Sequence, residues 1–501
     1  MKRRDFLKKS ASGFVLPIAL DGFGIKAFAN DSPMIKALLG TTILPQDRIL
    51  VMINMNGGND GLNTVIPVDQ LSLYNSYRSN IAIPQNQILP LANNPATGLH
   101  PSLTGLQQLY NSDKLCIVHA VSYPNPNQSH YRANEIWMTA TDSNIYGTSG
   151  WAGRYLDDRY PNYPDAYPNA SMSDPLAIQI GYLTSPVLSS SVQSMAVALS
   201  TPDEFAQLIG EGGIAPPNDL PGYEAGNLID FIRKQQVLSI GYSTEIKNAA
   251  NAGTTMATYP NNNSVADQLK IVARLIHGGL QTKVYFISQV GYDTHSSQTD
   301  TNTTTGAHAV LLKKLSDAIA AFQQDLVLQG TESKVLGMTY SEFGRRVNSN
   351  SSRGTDHGVA APMFIFGSAI KKKTVGTNPN LSDLTVNSGQ YDVKMQTDFR
   401  RVYRDILQDW FGITPEKSNQ LVYQDFQTLS ILTDEVKSVK TGNWTDPLTW
   451  NVRRVPTAND KVLIQSQHKV TVQAGEIAVC RFINIMGGFF TAPTCVFRTT
   501  G

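Results

Sequence analysis

The sequence predicts an α/β protein built on a mostly parallel sheet flanked by helices, with a small all-β unit at its C-terminal end. Three observations predict it. Apolar runs of strand length alternate with longer amphipathic runs of helical period, acids and glycines follow directly on the apolar runs, and the composition turns β-like after about Glu435. Acids at strand ends suit a ligand-binding edge, because loops converge at the carboxyl side of the strands in an open α/β sheet.

With 501 residues, 41% of them apolar, the chain can bury a large core and more than one domain. Charged residues make up 16% and the formal net charge is +1, so the composition points away from nucleic acid as a partner. Residues 1–29 read as an export signal: Lys2-Arg3-Arg4-Asp5-Phe6-Leu7-Lys8, an apolar run from Phe14 to Leu20, and an Ala27-Phe28-Ala29 cleavage site. The paired arginines resemble the twin-arginine type, which implies the twin-arginine export machinery as a partner and a periplasmic or secreted product. Removing the segment's six Lys/Arg and two Asp leaves 35 basic against 38 acidic residues, a net charge of −3. No later apolar run approaches the roughly 20 residues that span a bilayer. Cys116 lies in an apolar run and reads as buried, whereas Cys480 and Cys495 in the tail would be free to pair in an oxidising compartment.

The first buried strand, Ile49 to Met55, runs into Asn56-Gly57-Gly58-Asn59-Asp60-Gly61, where glycines allow a sharp turn and place Asp60 at the sheet edge. A second strand, Lys114 to Ser122, leads to Ser129-His130-Tyr131-Arg132 at the start of a helix. Ser129 there is a cap for orphan amides or a hydroxyl in the field of a helix N-terminus, with His130 and Arg132 beside it to orient or neutralise an anion. Residues 159–225, rich in Tyr, Pro, Asn and Ser, read as a partly irregular lid over one face. Helical patterns follow at 225–247 and 264–280. The strand Thr282 to Gln289 ends in Asp293-Thr294-His295, a pair that can face one cation. A long helix, His308 to Gln329, precedes the strand Lys334 to Tyr340, which delivers Glu342 at its end. Asp356-His357 then comes before the apolar run Pro362 to Phe366. The run 397–411 reads as an amphipathic helix closing a main domain of about residues 45–430. Residues 438–501 form the β-rich appendage, whose completeness is left open.

Taken together, GGNDGLN, SHYRANEIW, GWAGRYL, GYDTH, YSEFGRR and GTDHG-x-x-x-P resemble the bacterial family catalogued as domain of unknown function 1501, over roughly residues 45–430. That family is in turn similar to the alkaline phosphatase and sulfatase superfamily, whose members hold two metal ions at the carboxyl edge of a parallel sheet. The resemblance implies an alkaline-phosphatase-like fold and a phosphate or sulfate ester hydrolase or transferase. Ser129 would be its nucleophile, and Asp60, Asp293, His295, Glu342, Asp356 and His357 would bind zinc, calcium, magnesium or manganese. Two alignments remain open for the last motif: Asp356-His357-Gly358 as the metal triplet, or Glu342 in that place with His357 as the final histidine. In the second, preferred alignment Phe343 stands where a histidine is usual, which weakens one metal site. Arg132, Arg345 or Arg346 would clamp the nonreacting oxygens of a small-molecule or glycan ester. The alternative is a non-catalytic exported scaffold for cell-surface glycans on the same fold.

Overall fold

Fully buried apolar runs become the strands of one large sheet, as expected where helices cover both faces and no face alternates toward water. In chain order and numbering the sheet strands alone, β1 is Ile49–Asn56, β2 Leu115–Ser122, β3 Ala177–Ile180, β4 Ala196–Leu199 and β5 Val284–Val290. Strands β6 Val335–Tyr340, β7 Ala361–Phe366, β8 Thr374–Val375 and β9 Thr397–Asp398 complete it. The computed structural model describes residues 15–20, 23–28, 47–202, 242–387, 389–432, 435–451, 454–458 and 460–500. Among these the spatial order is β8-β2-β7-β6-β1-β5-β3-β4, with β9 also on β2.

Strand β1 is central and pairs in parallel with β5 and β6. Only β7 runs against its neighbours, β6 and β2. That reversal matters, because the start of β7 then lies at the same edge as the ends of β1, β5 and β6. The turn after β1 needs glycine: Gly57 and Gly58 have φ of +124° and +82°. A Cβ on Gly57 would sit 2.3 Å from the Asp293 amide nitrogen, and one on Gly58 2.2 Å from the Phe343 ring.

The helices form where apolar residues recur at helical spacing and a cap is present. Asn263 accepts from the amides of Val265 and Ala266 to start Ser264–His277, which packs beside the long Ala307–Leu328 helix. The expected 397–411 helix is a composite. Thr397–Asp398 is strand, Asp398 caps the helix Phe399–Asp405, and Ile406–Trp410 widens into a π-helical turn. The lid segment also differs from its expected irregularity: within its described part, 159–202, β3 and β4 extend the sheet in parallel beyond β5. Residues 203–225 of the lid and 225–241 of the next expected helix lie outside the described residues, and 242–252 is helical.

The chain divides into two units, residues 1–47 and 48–501. In the first, Val15–Leu20 and Phe23–Phe28 pair antiparallel. Arg3 and Arg4, with the rest of residues 1–14, 21–22 and 29 of the export-signal segment, lie outside the described residues. Among the described residues no helix is long and apolar enough to cross a membrane.

The C-terminal unit is all-β, and its ladders are parallel. Glu435–Lys437, Lys461–Ile464 and Phe482–Ile485 stack on one face, and Gly442–Asn443, Lys469–Val472 and Gly488–Thr491 on a second. Ile477–Cys480 and Val496–Thr499 make a third. This is a short three-faced solenoid around Trp444, Trp450, Val462, Ile464, Val470 and Cys480. Its register separates the two tail cysteines. Cys480 pairs with Thr499, so Cys495 lies four positions farther along the neighbouring strand, about 13 Å away at strand rise and beyond disulfide reach. Both are free thiols.

Three histidines sit in this interior without charge. Burial, with His308 nearby, holds His100 down to about 3; burial holds His119 to about 4, and holds His308 to about 4 against the pull of Asp60. A depressed histidine pKa contributes stability above the unfolded value near 6.5 that is lost as pH falls toward 4. The urea midpoint is therefore expected to drop between pH 7 and 5, by on the order of 1–2 kcal/mol per histidine. A His119→Gln variant should show a shallower fall, and a flat profile for the parent would refute the account.

Candidate metal centre

Five chain segments meet at the carboxyl edge of the sheet. The turn after β1 brings Gly57 and Gly58, the end of β5 brings Asp293 and His295, and the end of β6 brings Ser341, Glu342 and Phe343. The loop before β7 brings Asp356 and His357, and the helix His130–Thr139, which follows β2, adds His130 from its first position.

The histidines share one pattern. His130 Nδ1 lies 2.9 Å from Glu342 Oε1, His357 Nδ1 2.8 Å from the Gln128 carbonyl oxygen, and His295 Nδ1 3.1 Å from Asp356 Oδ1. Carbonyl and carboxylate oxygens accept, so each ring places its proton on Nδ1 and leaves Nε2 with a bare lone pair. Those Nε2 atoms converge. His130 Nε2 is 3.4 Å from Asp293 Oδ2, and His357 and His295 Nε2 are each 3.2 Å from Asp293 Oδ1 and 2.9 Å from one another. Ligand atoms of His130, Asp293 and His357 all lie within 4.8 Å of one another. These acceptor atoms face one point, where a cation could stand among them, and the Arg345 guanidinium already meets Asp293 Oδ1 at 2.6 Å.

The electrostatics favour an ionised carboxylate and neutral imidazole. Burial would raise the Asp293 carboxyl, but the hydrogen bond and the charge of Arg345 help to bring it down to about 2. Burial lowers His357 below its ordinary value, outweighing the hydrogen bond to the Gln128 carbonyl that raises it. Deprotonated His and Asp are the forms that bind metal. Two nitrogens and one oxygen form a donor set that fits a divalent ion of the zinc type.

Phe343 does not leave a gap. Its buried ring packs on His130 at 4.9 Å and His357 at 4.4 Å between centroids, and so helps to fix both imidazoles.

The roles of several expected residues change. Asp60 is fully buried in an ion pair with Arg78 at 2.6 Å and also accepts from Gln298, so it stands apart from the converging group. Glu342 accepts from the Gly57 amide and from His130, and thus orients a histidine. Asp356 does the same for His295. Arg132 turns away to the carbonyls of Ser143 and Ile145 and stacks on Tyr146. Arg346 is buried against Asp392. Ser129 is exposed at the N-cap, and its side chain makes no capping bond. Its neighbours on either side, through the Gln128 carbonyl and the His130 ring, both reach the histidine group.

Sequence reading missed two contributors, the Gln128 carbonyl and Arg78, and did not place Arg345 in the interior. No local signal marks a backbone acceptor. The YSEFGRR motif held Arg345 in view but gave it a substrate-binding role.

Because Glu342 sets the His130 tautomer, Glu342→Gln is expected to weaken divalent-ion binding about 10–100-fold, as loss of an orienting partner does elsewhere. Calorimetric titration of the variant checks this. Unchanged affinity would remove Glu342 from the site.

A family model described as a protein of unknown function (DUF1501) matches residues 241–422. No curated protein matches. Among solved structures, the chain is similar to the lipoteichoic acid synthase LtaP from Listeria monocytogenes, with 8% identity and a TM-score of 0.28, over 66% of this chain and 67% of that one. It is also similar to alkaline phosphatase from the Antarctic bacterium TAB5, with 11% identity and a TM-score of 0.24, over 64% of this chain and 92% of that one.

Proposed function

We propose that the chain is an exported, metal-dependent hydrolase or transferase acting on a phosphate or sulfate ester, with Ser129 as nucleophile. The observation that carries this reading is the convergence of histidine Nε2 lone pairs on Asp293, each ring locked by an acceptor at Nδ1.

His130, Asp293 and His357 would hold the ion. When bound, a divalent ion supplies Lewis-acid polarisation of an ester oxygen and lowers the pKa of a nearby hydroxyl. The protein's own contribution is positional. Ser129 stands in solvent at the first turn of a ten-residue helix, where the N-terminus favours negative charge. Phe343 walls the imidazoles, and Arg345 holds Asp293 from behind. An exported location follows from the paired Arg3-Arg4 and the apolar run behind them, and the twin-arginine machinery would be the partner.

One feature favours a second reading, a non-catalytic scaffold for cell-surface glycans. Asp60 is already balanced in the interior by Arg78, and the exposed Asp293 is bonded by Arg345 at 2.6 Å, so both carboxylates have a cationic partner within the protein. Elemental analysis of the purified mature protein, followed by a panel of phosphate and sulfate monoesters and diesters, separates the two. Bound divalent metal with metal-dependent turnover supports the enzyme. A metal-free chain that stays inert with every ester after metal is added would sink it.

A further inference from the structure

The sequence offers four carboxylates at the edge, Asp60, Asp293, Glu342 and Asp356, enough acids for more than one cation. The structure commits three of them elsewhere. Both oxygens of Asp60 are taken, Oδ2 by the Arg78 guanidinium and Gln298, and Oδ1 by the Asn63 amide at 3.4 Å. Glu342 is fully buried and holds the Gly57 amide and His130 Nδ1 on Oε1, with the Ser341 hydroxyl 3.4 Å from Oε2. Asp356 Oδ1 is shared between His295 and the Asn350 amide at 3.3 Å. Only Asp293 turns an oxygen toward the unprotonated histidine nitrogens.

Arg345 explains why Asp293 alone does so. Its side chain is fully buried, and its guanidinium donates to the carbonyl oxygens of Gly57, Gly58, Tyr292 and Thr355 and to Asp293 Oδ1. A single fixed cation thus ties the turn after β1, the end of β5 and the loop before β7 into one piece. It also takes Oδ1 of Asp293 and leaves Oδ2 as the oxygen 3.4 Å from His130 Nε2. This guanidinium is pinned by five acceptors, so no ion can replace it without dismantling the turn.

We infer that this edge binds one divalent cation and not two, through histidine nitrogens and a single Asp293 oxygen, and that Arg345 and Arg78 stand as fixed positive charges where further ions would bind. The inference rests on the metal-dependent reading above. Nitrogen-dominated coordination selects ions of the zinc type over magnesium and calcium, which prefer oxygen. Arg345 is a positioning residue here, since it acts on the ion only through Asp293.

Equilibrium dialysis and calorimetry of the metal-stripped mature protein with Zn²⁺ alone test the inference. One Zn²⁺ per chain is expected, lost in His130→Ala and in His357→Ala, retained in Asp60→Asn, and not displaced by a thousandfold excess of Mg²⁺ or Ca²⁺. Arg345→Lys keeps a charge but loses the fork, and should weaken binding about 10–100-fold without changing the stoichiometry. Two ions per chain would overturn the inference and leave the metal-dependent reading standing. No bound ion would overturn both. One ion that survives both histidine substitutions, or that Mg²⁺ displaces at parity, would also overturn the inference.

Discussion

Ser129→Ala is expected to cut ester turnover by roughly 10³–10⁶-fold, the range for loss of a nucleophile, while leaving metal content and folding intact. Two properties of Ser129 make the test sharp. Its hydroxyl makes no capping bond to the helix His130–Thr139, so the usual cost of about 1 kcal/mol for removing an N-cap should not appear. Its side chain is exposed, so no cavity is left behind. The urea midpoint should therefore move by no more than about 0.5 kcal/mol equivalent. The opposite pairing of results, a clear stability loss with turnover preserved, would make Ser129 an ordinary helix cap and return the nucleophile to another group. Ser129→Cys provides a second reading of the same position, because a thiol is the better metal ligand and the poorer match for an oxygen nucleophile's geometry.

What could be read from the chain follows from the range over which each signal acts. Strands β1, β2, β5, β6 and β7 were legible because each is a continuous buried apolar run whose composition alone demands an interior. Strands β3 and β4 were not, since each has four residues within polar sequence and gains its place only by pairing with β5 and with each other. The solenoid's β character was visible, but its parallel ladders pair strands 19 to 28 residues apart, a spacing that turn composition does not encode. At the site, the sequence marks residues that gather at one edge, while their mutual orientation comes only from the fold. Glu342 and Asp356 stand at strand and loop ends as metal ligands would, yet ring orientation makes them partners of His130 and His295. His130 was read as an anion handler because only the tautomer fixed by Glu342 turns its Nε2 toward Asp293. Asp60 was read as a ligand because its partner, Arg78, lies 18 residues away in a segment with no motif.

That pairing carries the largest expected effect on stability. Arg78 is fully buried and spends every arm of its guanidinium: on Asp60 and Asn63, on the Val347 carbonyl at 2.9 Å and on the Arg346 carbonyl at 2.8 Å. It thereby joins the turn after β1 to the segment that carries Arg345. Burial alone would raise the Asp60 carboxyl, but the charge of Arg78 and hydrogen bonds from Arg78 and Gln298 hold it below its ordinary value. Arg78→Met would leave an uncompensated carboxylate in the interior, and breaking one side of a buried ion pair costs about 3–5 kcal/mol. The double variant Arg78→Met with Asp60→Asn removes the stranded charge and should recover about 1–2 kcal/mol of that loss, a positive coupling expected of residues in direct contact. Urea unfolding of the two variants reads both numbers. If Arg78→Met costs less than about 1 kcal/mol, Asp60 is not held as a buried ion. If instead Asp60→Asn strips metal from a folded protein, Asp60 is a ligand after all, and the ion pair is what the site gives up when metal arrives.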